Sequence, residues 1–155
     1  LADYYRNIHL YFMKGVSNEL DNSSQQQQIL DMTPKKGNFW WRIFLKNYVR
    51  YTRAQEKLTP NFQLLMNEIK TSRNGRVSKK FCDDFRSKSR PLMKYANILT
   101  FNCRAITLYV ACLIDEPWLY PTIEIIVFSS LSLFMQYRHE NMCKHFLQQL
   151  KAGAY

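Results

Sequence analysis

Two long apolar runs separated only by an acidic pair limit what this chain can become. From Tyr95 to Ile114 there are twenty residues in which Arg104 is the one charge, and from Pro117 to Tyr137 twenty-one in which it is Glu124. Asp115 and Glu116 lie between them. A helix needs about twenty mostly apolar residues to cross a hydrocarbon layer of roughly 30 Å, so each run is long enough to span a membrane. Length alone also suits the buried hairpin of a water-soluble domain.

The flanking charges separate these two readings. Between Arg76 and Lys94 there are seven lysines and arginines against Asp83 and Asp84. Arg138, His139 and Lys144 follow the second run, whereas the connection carries only acids. Basic outer flanks around an acidic loop match the positive-inside pattern of a hairpin with both ends in the cytoplasm. A soluble hairpin has no reason to sort its charges in this way. Trp118 and Tyr120 beside the loop, with Tyr95 and Tyr137 near the basic ends, fall where amphipathic aromatics favour the headgroup level.

Charges inside such runs call for partners. Counted back from the loop, Arg104 and Glu124 differ in depth by only ~4–5 Å at about 1.5 Å per residue, so an ion pair is within reach. An unpaired charge at the helix centre costs at least about 2.5–3.5 kcal/mol on insertion scales. Arg104 therefore either pairs with Glu124 for structure or serves a phosphate-bearing substrate, for which its planar fork is suited.

The polar part before residue 94 reads as helices. Tyr4, Ile8, Tyr11 and Phe12 recur at three-to-four-residue steps ahead of Gly15, as in a helix closing on glycine. "SNELDNSSQQQQ" reads as a mobile, solvated linker or a marginal helix, because its four glutamines offer little to bury. In "FWWRIFLKNYVRYTR", Trp40, Phe44 and Tyr48 follow one edge and Arg42, Lys46 and Arg50 another. That pattern suits a helix lying in a membrane interface, or an amphipathic helix turning its aromatics to a core. A further helix follows Pro60, with a turn at Gly75; another starts from a Ser78 cap, sets Phe81 and Phe85 one turn apart and is interrupted near Pro91. No stretch alternates as a strand would, and the chain reads as all-α.

A formal charge of +10 points to anionic partners, either acidic lipid or nucleic acid. The four cysteines, Cys82, Cys103, Cys112 and Cys143, lack CxxC spacing and give no signature of a metal site or a disulfide framework.

Several stretches carry a resemblance: "LADYYRN.HLYF.KG", "YTRAQEKLTPNFQ", "FRSKSRPLMKY.N.LTFN.R", "PWLY" and "RHE..C". Together they resemble the C-terminal part of Bacteroidetes membrane proteins in the CDP-alcohol phosphatidyltransferase family. The resemblance implies a six-helix membrane fold that moves a phosphoalcohol group from a CDP-linked donor to an acceptor alcohol, releasing CMP with Mg²⁺ or Mn²⁺. The family's Asp-Gly-x-x-Ala-Arg signature is absent here, so the catalytic aspartates are expected upstream of Leu1. No catalytic residue, metal ligand or cofactor is assigned to this chain.

On this reading the chain is an all-α membrane protein fragment with a cytoplasmic helical insertion and a C-terminal transmembrane hairpin. Residues 1–15 end a membrane-proximal helix, 16–94 form the basic insertion, 95–114 and 117–137 span, and 138–155 end a helix in the cytoplasm. The location implied is a bacterial inner membrane. The implied partners are membrane lipids and a CDP-linked donor, with a homodimer left open and nucleic acid less favoured. Arg104, Arg90 and Lys94 are the candidate phosphate-binding residues, and Arg104 with Glu124 the candidate intramembrane pair. The alternatives are a soluble basic module that binds nucleic acid or a protein, and a small membrane anchor or regulatory subunit.

Overall fold

The computed structural model describes residues 2–13, 20, 22–34, 37–73 and 77–153, with backbone only at 72 and 73. Every described element is helical: α1 (Ala2–Met13), α2 (Ser23–Met32), α3 (Phe39–Leu58), α4 (Pro60–Arg73), α5 (Lys79–Ile98), α6 (Phe101–Leu113), α7 (Leu119–Ile123), a π-turn (Glu124–Phe128) and α8 (Ser129–Lys151). The turns expected at Gly15 and Gly75 lie outside the described residues.

The core forms where α1 packs on α5, α4 on α8 and α5 on α8. The spaced Tyr4, Ile8, Tyr11 and Phe12 of α1 are buried in it with Tyr5. Phe12 meets Phe85 at 4.2 Å between ring centroids and Phe81 at 5.8 Å, and Phe146 of α8 closes the group at 5.2 Å from Phe85. Offset and edge contacts among rings add to the area they bury. Ser78 caps α5 by accepting from the Phe81 N–H at 3.2 Å.

Of the two readings of the glutamine-rich stretch, the helix holds from Ser23 to Met32, where charged side chains of α3 meet both its ends, and two other expectations are corrected. Glu56 accepts from the Ser23 N–H at 2.8 Å and from the Ser23 hydroxyl at 2.5 Å. At the other end the Arg42 guanidinium donates to the carbonyls of Leu30, at 3.0 Å, and Thr33. Donors at the start of a helix and acceptors at its end are the groups left without intrahelical partners, so α3 supplies what the glutamines cannot.

The interruption expected at Pro91 is absent, and α5 runs through it to Ile98. Phe81, Phe85, Ser89, Leu92 and Ala96 form a buried stripe along the helix, while Pro91 sits on the exposed side, where it removes one backbone donor. The break comes instead at Leu99–Thr100, inside the first apolar run.

On α3 the core-facing residues are Leu45, Val49, Thr52 and Gln55, not the aromatic edge. Leu45 and Val49 form a small second core with Leu30 of α2.

Beyond the Leu99–Thr100 break, α6 and the start of the second arm extend from this packed body. The second arm passes through its π-turn into α8, whose later half, from Met135 onward, returns to the core.

Candidate functional site

The two arms are joined by a turn with a defined mechanism. Asp115 adopts a left-handed conformation (φ 59°), and the Glu116 N–H returns to the Ala111 carbonyl at 2.9 Å. This is the helix-terminating geometry usually made by glycine, here taken by an aspartate, one of the few other residues that tolerates it. The Trp118 indole N–H donates to the Glu116 carboxylate. The acidic pair thus builds the turn as well as marking it.

Most apolar residues of the arms face outward. Phe101 is 81% exposed, and Ile106, Tyr109, Leu113, Ile125, Ile126 and Leu133 are each more than half exposed. The helical stretches Lys79–Leu113 and Leu119–Lys151 are long and apolar enough to cross a membrane, and only 17% and 11% of their most apolar windows are buried. Such a contiguous apolar surface marks a protein or membrane contact rather than ordinary solvent-facing area.

Between the arms, Arg104 Nη1 lies 2.9 Å from Glu124 Oε1, and the guanidinium sits 5.7 Å from the centre of the Phe128 ring. The π-turn begins at Glu124 and ends at Phe128, so the local widening of the helix brackets both groups that hold the arginine. Arg104 Nε and Glu124 Oε2 are shielded from solvent and have no hydrogen-bond partner. The pair is therefore partly satisfied, with one donor and one acceptor left over.

Arg90 and Lys94 are exposed on α5 ahead of the break, and Arg104 lies beyond it on α6. At that junction α5 and α8 enclose a cleft of about 540 Å³ lined by Tyr95, Phe134 and Tyr137 along with Lys88, Arg138 and His145. The Tyr95 and Phe134 rings meet edge-on at 5.6 Å. Lys88 also lies 5.2 Å from the Phe146 ring. Cationic groups thus lie beside an aromatic floor where the apolar arms begin. Sequence reasoning placed Tyr95 and Tyr137 at this level but missed Lys88 and Arg138 as partners across two helices 50 residues apart in sequence.

A second basic and aromatic surface lies on α3. Trp40 is 80% exposed, and Trp41, Phe44 and Tyr48 stack in succession with centroids 5.3 and 6.2 Å apart. Beside them, Arg42, Lys46, Arg50 and Arg53 line a cleft of about 520 Å³ against α2.

No protein-family model, curated protein or solved structure matches this chain.

Proposed function

We propose that residues 95–114 and 117–137 form a transmembrane hairpin that holds the helical body on the cytoplasmic side of a bacterial inner membrane, and that the α5–α8 cleft receives a phosphate-bearing headgroup. The observation that carries this reading is the outward apolar surface of both arms, from Phe101 to Leu133, around the Arg104–Glu124 ion pair. In water that surface would be a liability; in lipid it is the expected exterior. The charge sorting around Asp115 and Glu116 supports the orientation.

The resemblance to CDP-alcohol phosphatidyltransferases supplies the finer reading: the C-terminal part of an enzyme that transfers a phosphoalcohol group from a CDP-linked donor. In that setting this chain contributes membrane anchoring and cationic contacts from Arg90, Lys94, Lys88 and Arg138, with Arg104 between the arms. Asp83 and Asp84 are adjacent residues about 100° apart around α5, and no metal role is assigned to them. Metal-dependent transfer is therefore assigned to no residue here.

Membrane fractionation and labelling test the proposal together. The chain stays in the pellet after a carbonate wash, and with Cys82, Cys103 and Cys112 replaced by serine, Glu116→Cys reacts with a membrane-impermeant thiol reagent added outside spheroplasts, whereas Lys88→Cys does not. Release into the supernatant, or labelling of Lys88→Cys alone, would overturn it.

A second reading is kept for α3, whose exposed stacked aromatics between arginines also suit single-stranded nucleic acid. It requires binding that weakens steeply as salt is raised.

A further inference from the structure

Where α1, α4 and α8 meet, three potential metal ligands converge in the core. His139, Glu140 and Cys143, from "HENMC", bring a ring nitrogen, a carboxylate oxygen and a sulfur within 4.8 Å of one another. Cys143 Sγ is 3.7 Å from His139 Nδ1, and Glu140 Oε1 is 3.9 Å from the same nitrogen. His139 is 1% exposed, Cys143 0% and Glu140 8%.

Two oxygens of this region are buried without a hydrogen-bond partner: Glu140 Oε1 and the Tyr5 hydroxyl. Among the described residues no lysine or arginine forms an ion pair with Glu140. A buried unpaired acceptor costs about 1–3 kcal/mol, and more when charged, so Glu140 Oε1, with only the His139 ring 3.9 Å away, calls for a positive group, while the Tyr5 hydroxyl lacks any partner. The second carboxylate oxygen is already fixed, accepting from the Asn61 N–H at 2.7 Å. This is the outer-shell hydrogen bond that orients a ligating carboxylate. Tyr5 packs its ring 4.5 Å from that of His139, and Phe62 of α4 lies 5.9 Å away, which fixes the imidazole between two elements.

We propose that His139, Glu140 and Cys143 form a structural site for a divalent metal of the zinc class, with the Tyr5 hydroxyl facing the remaining position. Tetrahedral zinc with bonds of about 2.0–2.3 Å sets its ligand atoms roughly 3.3–3.7 Å apart, so the cluster closes by small side-chain rotations. Nitrogen, thiolate and carboxylate together select zinc over magnesium or calcium. Charge balances on binding: Cys143 releases its proton, and thiolate and carboxylate neutralise the dication, which leaves no net charge in the core. With its ligands on α8 and its flanking groups on α1 and α4, the metal ties the body together at the base of the hairpin. The ligands themselves are buried, none of them more than 8% exposed, which suits a structural role.

The full chain, purified in detergent and stripped with a chelator, is titrated with Co²⁺ and then with Zn²⁺. Binding of one equivalent of Co²⁺, with a near-ultraviolet thiolate-to-cobalt band and strong visible absorption that Zn²⁺ bleaches, is the expected result. Cys143→Ala abolishes the charge-transfer band while its helical circular dichroism stays as in the parent. Should Cys143→Ala fail to fold, Glu140→Gln decides the matter, because it keeps an acceptor for Asn61 yet weakens metal binding at least roughly tenfold. Absence of the band in the parent chain, its persistence in Cys143→Ala, or unchanged affinity in Glu140→Gln would each overturn the proposal.

Discussion

Glu140 on α8 accepts the backbone N–H of Asn61 at 2.7 Å, so a carboxylate 79 residues away in sequence caps the first turn of α4. That contact joins two helices through one orphan donor and the positive end of a helix dipole. With chelator present, Glu140→Ala should lower stability by about 1–3 kcal/mol and Glu140→Gln by less, since the amide oxygen still accepts. Denaturant unfolding in mild detergent, followed by circular dichroism, measures both.

The Arg104–Glu124 pair should behave as a couple. Arg104→Leu alone leaves Glu124 uncompensated between the arms, at a cost of about 3–5 kcal/mol, and Glu124→Leu does the same to Arg104. The double replacement should recover most of that loss, read as thermal stability in detergent. If Arg104 instead contacts a phosphate-bearing ligand, the double variant folds but loses binding to anionic lipid.

Phe12 is the central ring between α1 and α5. Phe12→Ala should cost about 3–5 kcal/mol, and Phe12→Leu much less, because the cavity it leaves is smaller. Unfolding midpoints of the two variants provide the comparison.

His9 gives stability a pH dependence. Its Nδ1 is 2.6 Å from the Ser89 hydroxyl, and burial, with Arg86 and Arg90 nearby, lowers its pKa from the usual 6.5. A histidine with a depressed folded pKa binds more protons when unfolded, so its contribution is complete above pH 6.5 and declines as pH falls below that value. His9→Gln should show a shallower loss of stability between neutral and mildly acidic pH.

The exposed aromatic edge of α3 makes an optical prediction. Vesicles rich in anionic lipid should shift the emission of Trp40 and Trp41 to shorter wavelength, and replacing Arg42, Lys46 and Arg50 with glutamine should weaken that response. Neutral vesicles should have little effect. To isolate the signal, Trp118 is replaced by phenylalanine.

The all-helical fold was legible because local signals and packing agree: the spacing from Tyr4 to Phe12 is a buried stripe, and Ser78 caps as its position suggested. What was hidden depended on distant partners. The glutamines of α2 carry no sign that Glu56 and Arg42 would hold both ends of their helix. Pro91 suggested a stop, but five buried residues on the opposite side carry α5 through it. Of the candidate site, Arg104 and Glu124 could be matched by depth, since helices advance by a fixed rise. Lys88 and Arg138 could not, because no periodicity reveals which faces of α5 and α8 meet. His139, Glu140 and Cys143 lie close in sequence, but a search for paired cysteines passes over a lone thiol beside a histidine and an acid.

The π-turn at Glu124–Phe128 adds one residue to a helical cycle, which rotates everything after it by about 100° relative to an uninterrupted α-helix. The second arm therefore keeps two azimuthal settings on one continuous rod: Ile125 and Ile126 point away from the protein, while Met135, His139, Cys143 and Phe146 point into it. Removing a single residue from that turn would re-phase the rod, turning either the outer half's apolar face or the inner half's core face out of its present setting. A segment that looks like one apolar helix is thus indexed for two surroundings, and its tolerance to insertions and deletions should be lowest at this point rather than in the loop.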